Sequence, residues 1–184
     1  MPVTIEKISA MLDHAGIRHG FNEDKTMILS CFGTDDYRNI VGQTSVLVVI
    51  SLAVSGTILT VSCPNCFVAS RKEHFPAVQL ACLRATSDRR FLRFCFDPAD
   101  GEVAIRHDHL VQNSELTLEQ LEMMVRGMAL VVDYYADVFR CAITTGEQID
   151  PEDPEQMARE FAEFRRMRRQ SRTKASVAGI GLED

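Results

Sequence analysis

The chain opens on an amphipathic repeat. Ile5, Ile8, Met11, Leu12 and Ala15 recur in steps that put them on one helical face, and Gly16 follows as a stop. The apolar residues then become dense instead of periodic. Residues 26–33 (TMILSCFG) read as a strand, and Thr34-Asp35-Asp36 turns the chain. Residues 45–54 and 57–63 read as two more strands, rich in β-branched side chains, with Ser55-Gly56 as the tight turn between them. Their near-continuous apolarity predicts strands buried on both faces. Pro64-Asn65 punctuates the pattern. Helical spacing returns over residues 75–87 with Val78, Ala81, Cys82 and Ala85. Residues 90–97 and 102–107 read as a hairpin, because Leu92, Phe94 and Phe96 alternate and Asp97-Pro98-Ala99-Asp100-Gly101 supplies the turn chemistry.

The clearest element is next. Thr117-Leu118-Glu119-Gln120 has the form of a capping box, with Gln120 three residues after the Thr117 cap. Leu118, Leu121, Val125, Met128, Val132, Tyr135, Phe139 and Ala142 then hold one stripe to about Thr144, predicting one helix about 40 Å long. Its width fits a helix lying on a sheet better than a coiled-coil seam. Met123, Leu130 and Tyr134 lie off that stripe and predict that something covers the outer side. Gly146, Pro151 and Pro154 mark a linker. Beyond it an amphipathic segment over 155–172 carries Phe161, Phe164 and Met167 on one side, and these are the nearest candidates for the cover. Packing within one chain is the simplest arrangement; exchange between two chains, giving a homodimer, is the alternative the linker allows.

The expected fold class is therefore α+β: an antiparallel five-stranded sheet with helices packed mainly on one face, in the order α-β-β-β-α-β-β-α, plus a C-terminal amphipathic helix. The expected division is an α+β domain over 1–148, a linker and helix over 149–172, and a flexible tail over 173–184.

Composition changes this picture in three places. The 184 residues carry a net charge of −6, and so acidic a body repels phosphates, which argues against nucleic acid as a partner. A basic cluster (Arg165, Arg166, Arg168, Arg169, Arg172, Lys174) reads as the polar side of the last helix. No charge occurs from Asn39 to Ser70, a length that would permit a membrane span, but the β-branched residues and the Ser-Gly break favour two strands. The first residues lack a signal pattern, so a cytoplasmic location with six reduced cysteines is expected.

With the uncharged hairpin over 45–63, Pro76-Ala77-Val78 through Arg90-Phe91-Leu92-Arg93-Phe94-Cys95-Phe96-Asp97, and Gly101-Glu102-Val103 leading to Leu116-Thr117-Leu118-Glu119-Gln120-Leu121 and Asp133-Tyr134-Tyr135, the chain resembles the YbjN-like family of proposed bacterial sensory-transduction regulators over about residues 3–144. The resemblance implies a fold similar to that of type III secretion chaperones. Proteins of that shape bind partner polypeptides, often as dimers, and have no catalytic centre. It carries over no functional residue.

Candidate chemistry is sparse. Cys63-Pro64-Asn65-Cys66 is half a zinc site or a thiol–disulfide pair, but a second Cys-x-x-Cys is missing and the simpler reading is two small residues in a turn. His107-Asp108-His109 places two imidazoles on one face if the strand continues. Cys31, Cys82, Cys95 and Cys141 sit in apolar patterns as small hydrophobes. No phosphate loop, dinucleotide fingerprint or nucleophile elbow occurs. The function expected is a non-enzymatic protein-binding module, chaperone-like or regulatory, without a cofactor. The alternative is a thiol-redox or zinc protein using Cys63 and Cys66.

Overall fold

The computed structural model describes residues 3–89, 91–111 and 115–151, together with Arg159, Ala162 and Arg166. The chain divides into two compact units, Met1–Pro151 and Glu152–Asp184. In the second, Arg159, Ala162 and Arg166 are helical and exposed. The remaining residues of the expected last helix, including Phe161, Phe164 and Met167, lie outside the described residues, as does the expected tail.

The first unit is built from α1 (Ile5–His14), β1 (Gly20–Phe21), β2 (Met27–Gly33), β3 (Ser45–Ala53), β4 (Ile58–Val68), a 3-10 turn (Lys72–His74), α2 (Phe75–Asp88), β5 (Arg93–Phe96), β6 (Glu102–Leu110), α3 (Leu118–Tyr134) and α4 (Ala136–Thr144). Its antiparallel sheet runs β1-β2-β3-β4-β6-β5. The sheet has six strands where five were expected. The additional one, β1, is two residues long, too short to make an alternation.

Local chemistry sets several boundaries. Thr4 caps α1 by accepting from Lys7 N–H at 3.2 Å. At the other end Gly16 takes φ +65°, while Gly16 N–H donates to Asp13 and Ile17 N–H to Leu12. That pair of bonds is a Schellman stop, and Leu12 and Ile17, which it joins, are both buried. The capping box is formed in full: Gln120 N–H donates to Thr117 Oγ1 at 3.1 Å, and Thr117 N–H to Gln120 Oε1 at 2.9 Å. In the β5–β6 turn Gly101 has φ +79°, and a Cβ there would stand 1.9 Å from the Ala69 carbonyl oxygen. Ala69 N–H in turn donates to the Gly101 carbonyl.

Three expectations are corrected. The long helix is two: α3 ends and α4 begins at Tyr135, whose backbone leaves helical geometry at φ −94°, ψ 6°. The stripe survives the bend, since Val132, Tyr135, Phe139 and Ala142 are all buried. Tyr135 is held by Arg89, which donates to its hydroxyl, and by Asp88, which accepts from it, both at 3.2 Å. The bend also leaves α4 against α2. Second, Pro64-Asn65 does not end the strand. Between the pairs Cys63–Ile105 and Phe67–Val103, β4 spends four steps where β6 spends two, and the excess is a bulge. Proline has no N–H for the ladder, and a bulge is where a strand accommodates it. Asn65 takes φ +47° there, and its N–H donates to Glu102 Oε1 at 2.8 Å.

Third, the middle strands are buried on one face only. Val46, Val48 and Ile50 are sealed, as are Leu59, Val61 and Cys63 on β4 and Val103 and Ile105 on β6. The helices lie over that face. The alternate residues Met27, Leu47, Arg106 and Asp108 are exposed, and Leu29, Val49, Thr60 and Ser62 half-buried. No described helix is long and apolar enough to cross a membrane.

Candidate binding surfaces

Cys63 and Cys66 both point into the helix-covered core, from either side of the β4 bulge. Cys63 is 0% exposed and Cys66 3%. The Cys66 thiol donates to the Val103 carbonyl at 3.0 Å. Burial pushes both thiols far up from the ordinary thiol range, and the neighbouring Cys63 and Cys82 raise Cys66 further. A protonated, enclosed thiol is neither a nucleophile nor a metal ligand. The motif therefore sits in a bulged strand and not in a loop, and its cysteines act as core residues. Among the described residues no group of three or more His, Cys, Asp or Glu side chains is placed to hold a metal.

The other cysteines divide. Cys82 is buried, and burial raises its thiol to about 12. Cys31 and Cys95 are exposed, contrary to the apolar setting expected of them, because they fall on the outward phase of β2 and β5. Cys141 is intermediate. His107 and His109 do share a face of β6, with ring centroids 6.3 Å apart. Burial, and then the charge of His109, hold His107 below the usual imidazole range. The exposed Phe91 stacks on it.

Met123, Leu130 and Tyr134 are each half-buried on α3. Tyr134 carries the Arg89 guanidinium over its ring at 4.9 Å. Their expected companions on the last segment lie outside the described residues.

Two surfaces were not foreseen. The first is the open face of the sheet. Register aligns Leu29 with Val49, Ser62, Arg106 and Arg93 across β2, β3, β4, β6 and β5. The next row aligns Met27 with Ser51, Thr60 and Asp108, and Cys31 stands beside Leu47. The face is thus apolar over β2 and β3 and mainly polar over β4, β6 and β5, apart from the Ile58–Leu110 pair at one end of β4 and β6. Arg93 forms an ion pair with Asp108, which also accepts from Thr60 at 2.7 Å. The alternation that marks this face is present in the sequence, but outward Leu and Val hide it.

The second is a cleft of about 210 Å³ between the β2–β3 connection, the outer end of β4 and α4. The Asp133 carboxylate builds one wall by accepting from the N–H groups of Asp35, Asp36 and Tyr37 at 2.7–2.9 Å. Arg140 adds a bond to the Asp36 carbonyl at 2.8 Å and an ion pair with Asp137. Phe67, Ala136 and Ile143 line the cleft with Tyr37, Arg38 and Cys66. These residues lie far apart along the chain, so no local pattern announces them.

No family model and no curated protein matches the chain. Among solved structures it is similar to YbjN from E. coli, a proposed transcription regulator, with 11% identity, a TM-score of 0.54, and coverage of 73% of this chain and 94% of that one. The likeness is one of fold.

Proposed function

We propose that the protein is a non-enzymatic binding module, chaperone-like or regulatory, that receives a partner polypeptide on the open face of its sheet. The observation that carries this reading is the uncovered apolar half of that face, where Met27 and Leu47 are each 40% exposed beside Leu29 and Val49. Exposed apolar area rimmed by polar residues is the usual mark of an interaction surface. The partner it fits is amphipathic: an apolar side over β2 and β3, and a carboxylate toward Arg106. The similarly folded YbjN is a proposed transcription regulator, which is consistent with this reading, and the sequence resemblance to the YbjN-like family implies the same kind of role. A redox or zinc role for Cys63 and Cys66 lacks comparable support, since both thiols are enclosed and protonated.

A photo-reactive side chain placed at position 47 of the full chain tests this. In native lysate it should yield one discrete protein adduct, which the same group at Gln79, exposed on α2, does not yield. Val49→Lys should abolish the adduct while leaving the melting temperature within a few degrees. Equal adducts from both positions, or none from position 47, would reject the face as the binding surface.

A further inference from the structure

We propose that the cleft beside α4 binds a small organic carboxylate with a short apolar body. It lies on the helix-covered side, so this goes beyond the use of the open face.

Tyr37 supplies the first observation. The residue is 2% exposed and lines the cleft, yet its hydroxyl has no hydrogen-bond partner among the described residues. The oxygen is not among the described buried atoms that lack a partner, so water reaches it, and a ligand in the cleft can take that water's place. Its ring is fixed in advance: the backbone N–H is held by Asp133, the carbonyl accepts from Thr34 at 2.9 Å, and Phe67 packs against the ring at 5.4 Å, perpendicular to it. A donor fixed this way loses little freedom when a ligand arrives.

Arg38 supplies the second. It is exposed, lines the same cleft, and has no hydrogen-bond or ion-pair partner among the described residues. Arg140, the other guanidinium on the lining, is already occupied by Asp137 and the Asp36 carbonyl. One uncommitted positive charge therefore stands at the cleft with one uncommitted neutral donor.

The walls supply the third. Phe67, Ala136 and Ile143 are apolar, and the Cys66 thiol is committed to Val103. An inorganic anion would answer the donors and leave these walls without contacts. A plain hydrocarbon would do the reverse. A carboxylate on a short chain answers both, with a charge-assisted bond to Arg38 and an acceptor for Tyr37. A cleft of about 210 Å³ has room for about seven waters at about 30 Å³ each, which suits an acid of about four to six carbons.

The test is a chemical-shift titration of the isotope-labelled full chain with 4-methylpentanoate, run beside 4-methylpentan-1-ol and inorganic phosphate. The acid should move the amides of Arg38, Phe67 and Ile143 saturably, with a midpoint of about 1 mM or below. The alcohol and phosphate should each bind about tenfold more weakly or worse. Arg38→Gln, an exposed change that leaves the fold alone, should weaken the acid about tenfold, and Tyr37→Phe about two- to fivefold. Absence of saturation by about 20 mM, shifts centred elsewhere, an alcohol or phosphate as good as the acid, or an unaffected Arg38→Gln variant would each overturn the proposal.

Discussion

On β3, Val46, Val48 and Ile50 are sealed beneath helices, while Leu47 and Val49, one step along the same strand, look outward beside Met27 and Leu29. The cysteines repeat the contrast. Cys63 and Cys66 face the helices and Cys31 and Cys95 do not. Residue type is almost the same on the two sides; what differs is whether anything lies on top. An apolar side chain reports its preference for an apolar neighbour, and a cover exists only where another element of the chain supplies it.

Raising the pH should separate the two sides most strongly. The covered thiols of Cys63, Cys66 and Cys82 keep their protons in the folded state, whereas an unfolded chain releases them from about pH 9 upward. The unfolded state then binds fewer protons, so stability is full below that pH and falls above it. The loss is up to about 1.4 kcal/mol per pH unit for each thiol, until the folded group itself ionises, near 12 for Cys82. Denaturant midpoints between pH 8 and 10.5 check this; a flat profile would show that the core thiols are not enclosed. In the same range a thiol reagent should label Cys31 and Cys95 at once and Cys63 and Cys66 only as the protein opens.

Truncation by mutation is the next largest contrast. Leu59→Ala, in a 0% exposed site, should cost about 2–5 kcal/mol. Asp133→Ala leaves three backbone N–H groups of the β2–β3 connection without their acceptor, and should cost about 1–3 kcal/mol and speed hydrogen exchange at Asp35–Tyr37. Leu47→Ala on the open side should cost about 0.5 kcal/mol or less, readable as a small shift in midpoint. A Leu47→Ala loss as large as that of Leu59→Ala would mean that the outer face is covered in solution.

Much of the fold was legible because local chemistry dictated it. The capping box at Thr117, the stop at Gly16 and the Asp-Pro…Asp-Gly turn each name their own geometry. The bend at Tyr135 left no trace, since neither Gly nor Pro marks it and the apolar phase runs through. Proline at 64 reads as an end because a bulge and a terminus both tolerate a residue without an N–H, and only the pairing with β6 tells them apart. The candidate surfaces were less accessible still. Met123, Leu130 and Tyr134 were found as an off-stripe set, but the open face looked like a doubly buried one, and the cleft joins residues 37–38 to 66–67 and 136–143, a juxtaposition only folding creates.

Gly101 offers a way to sort distant kin. Its missing side chain lets the Ala69 carbonyl come within what would be 1.9 Å of a methyl group. A chain with any larger residue at the matching place has to move the Ala69 backbone aside and strain its own turn, because both the space and the φ of +79° exclude a side chain. Kin that keep glycine there can keep this close crossing of turn and strand, and kin that do not must join the same two strands by another path.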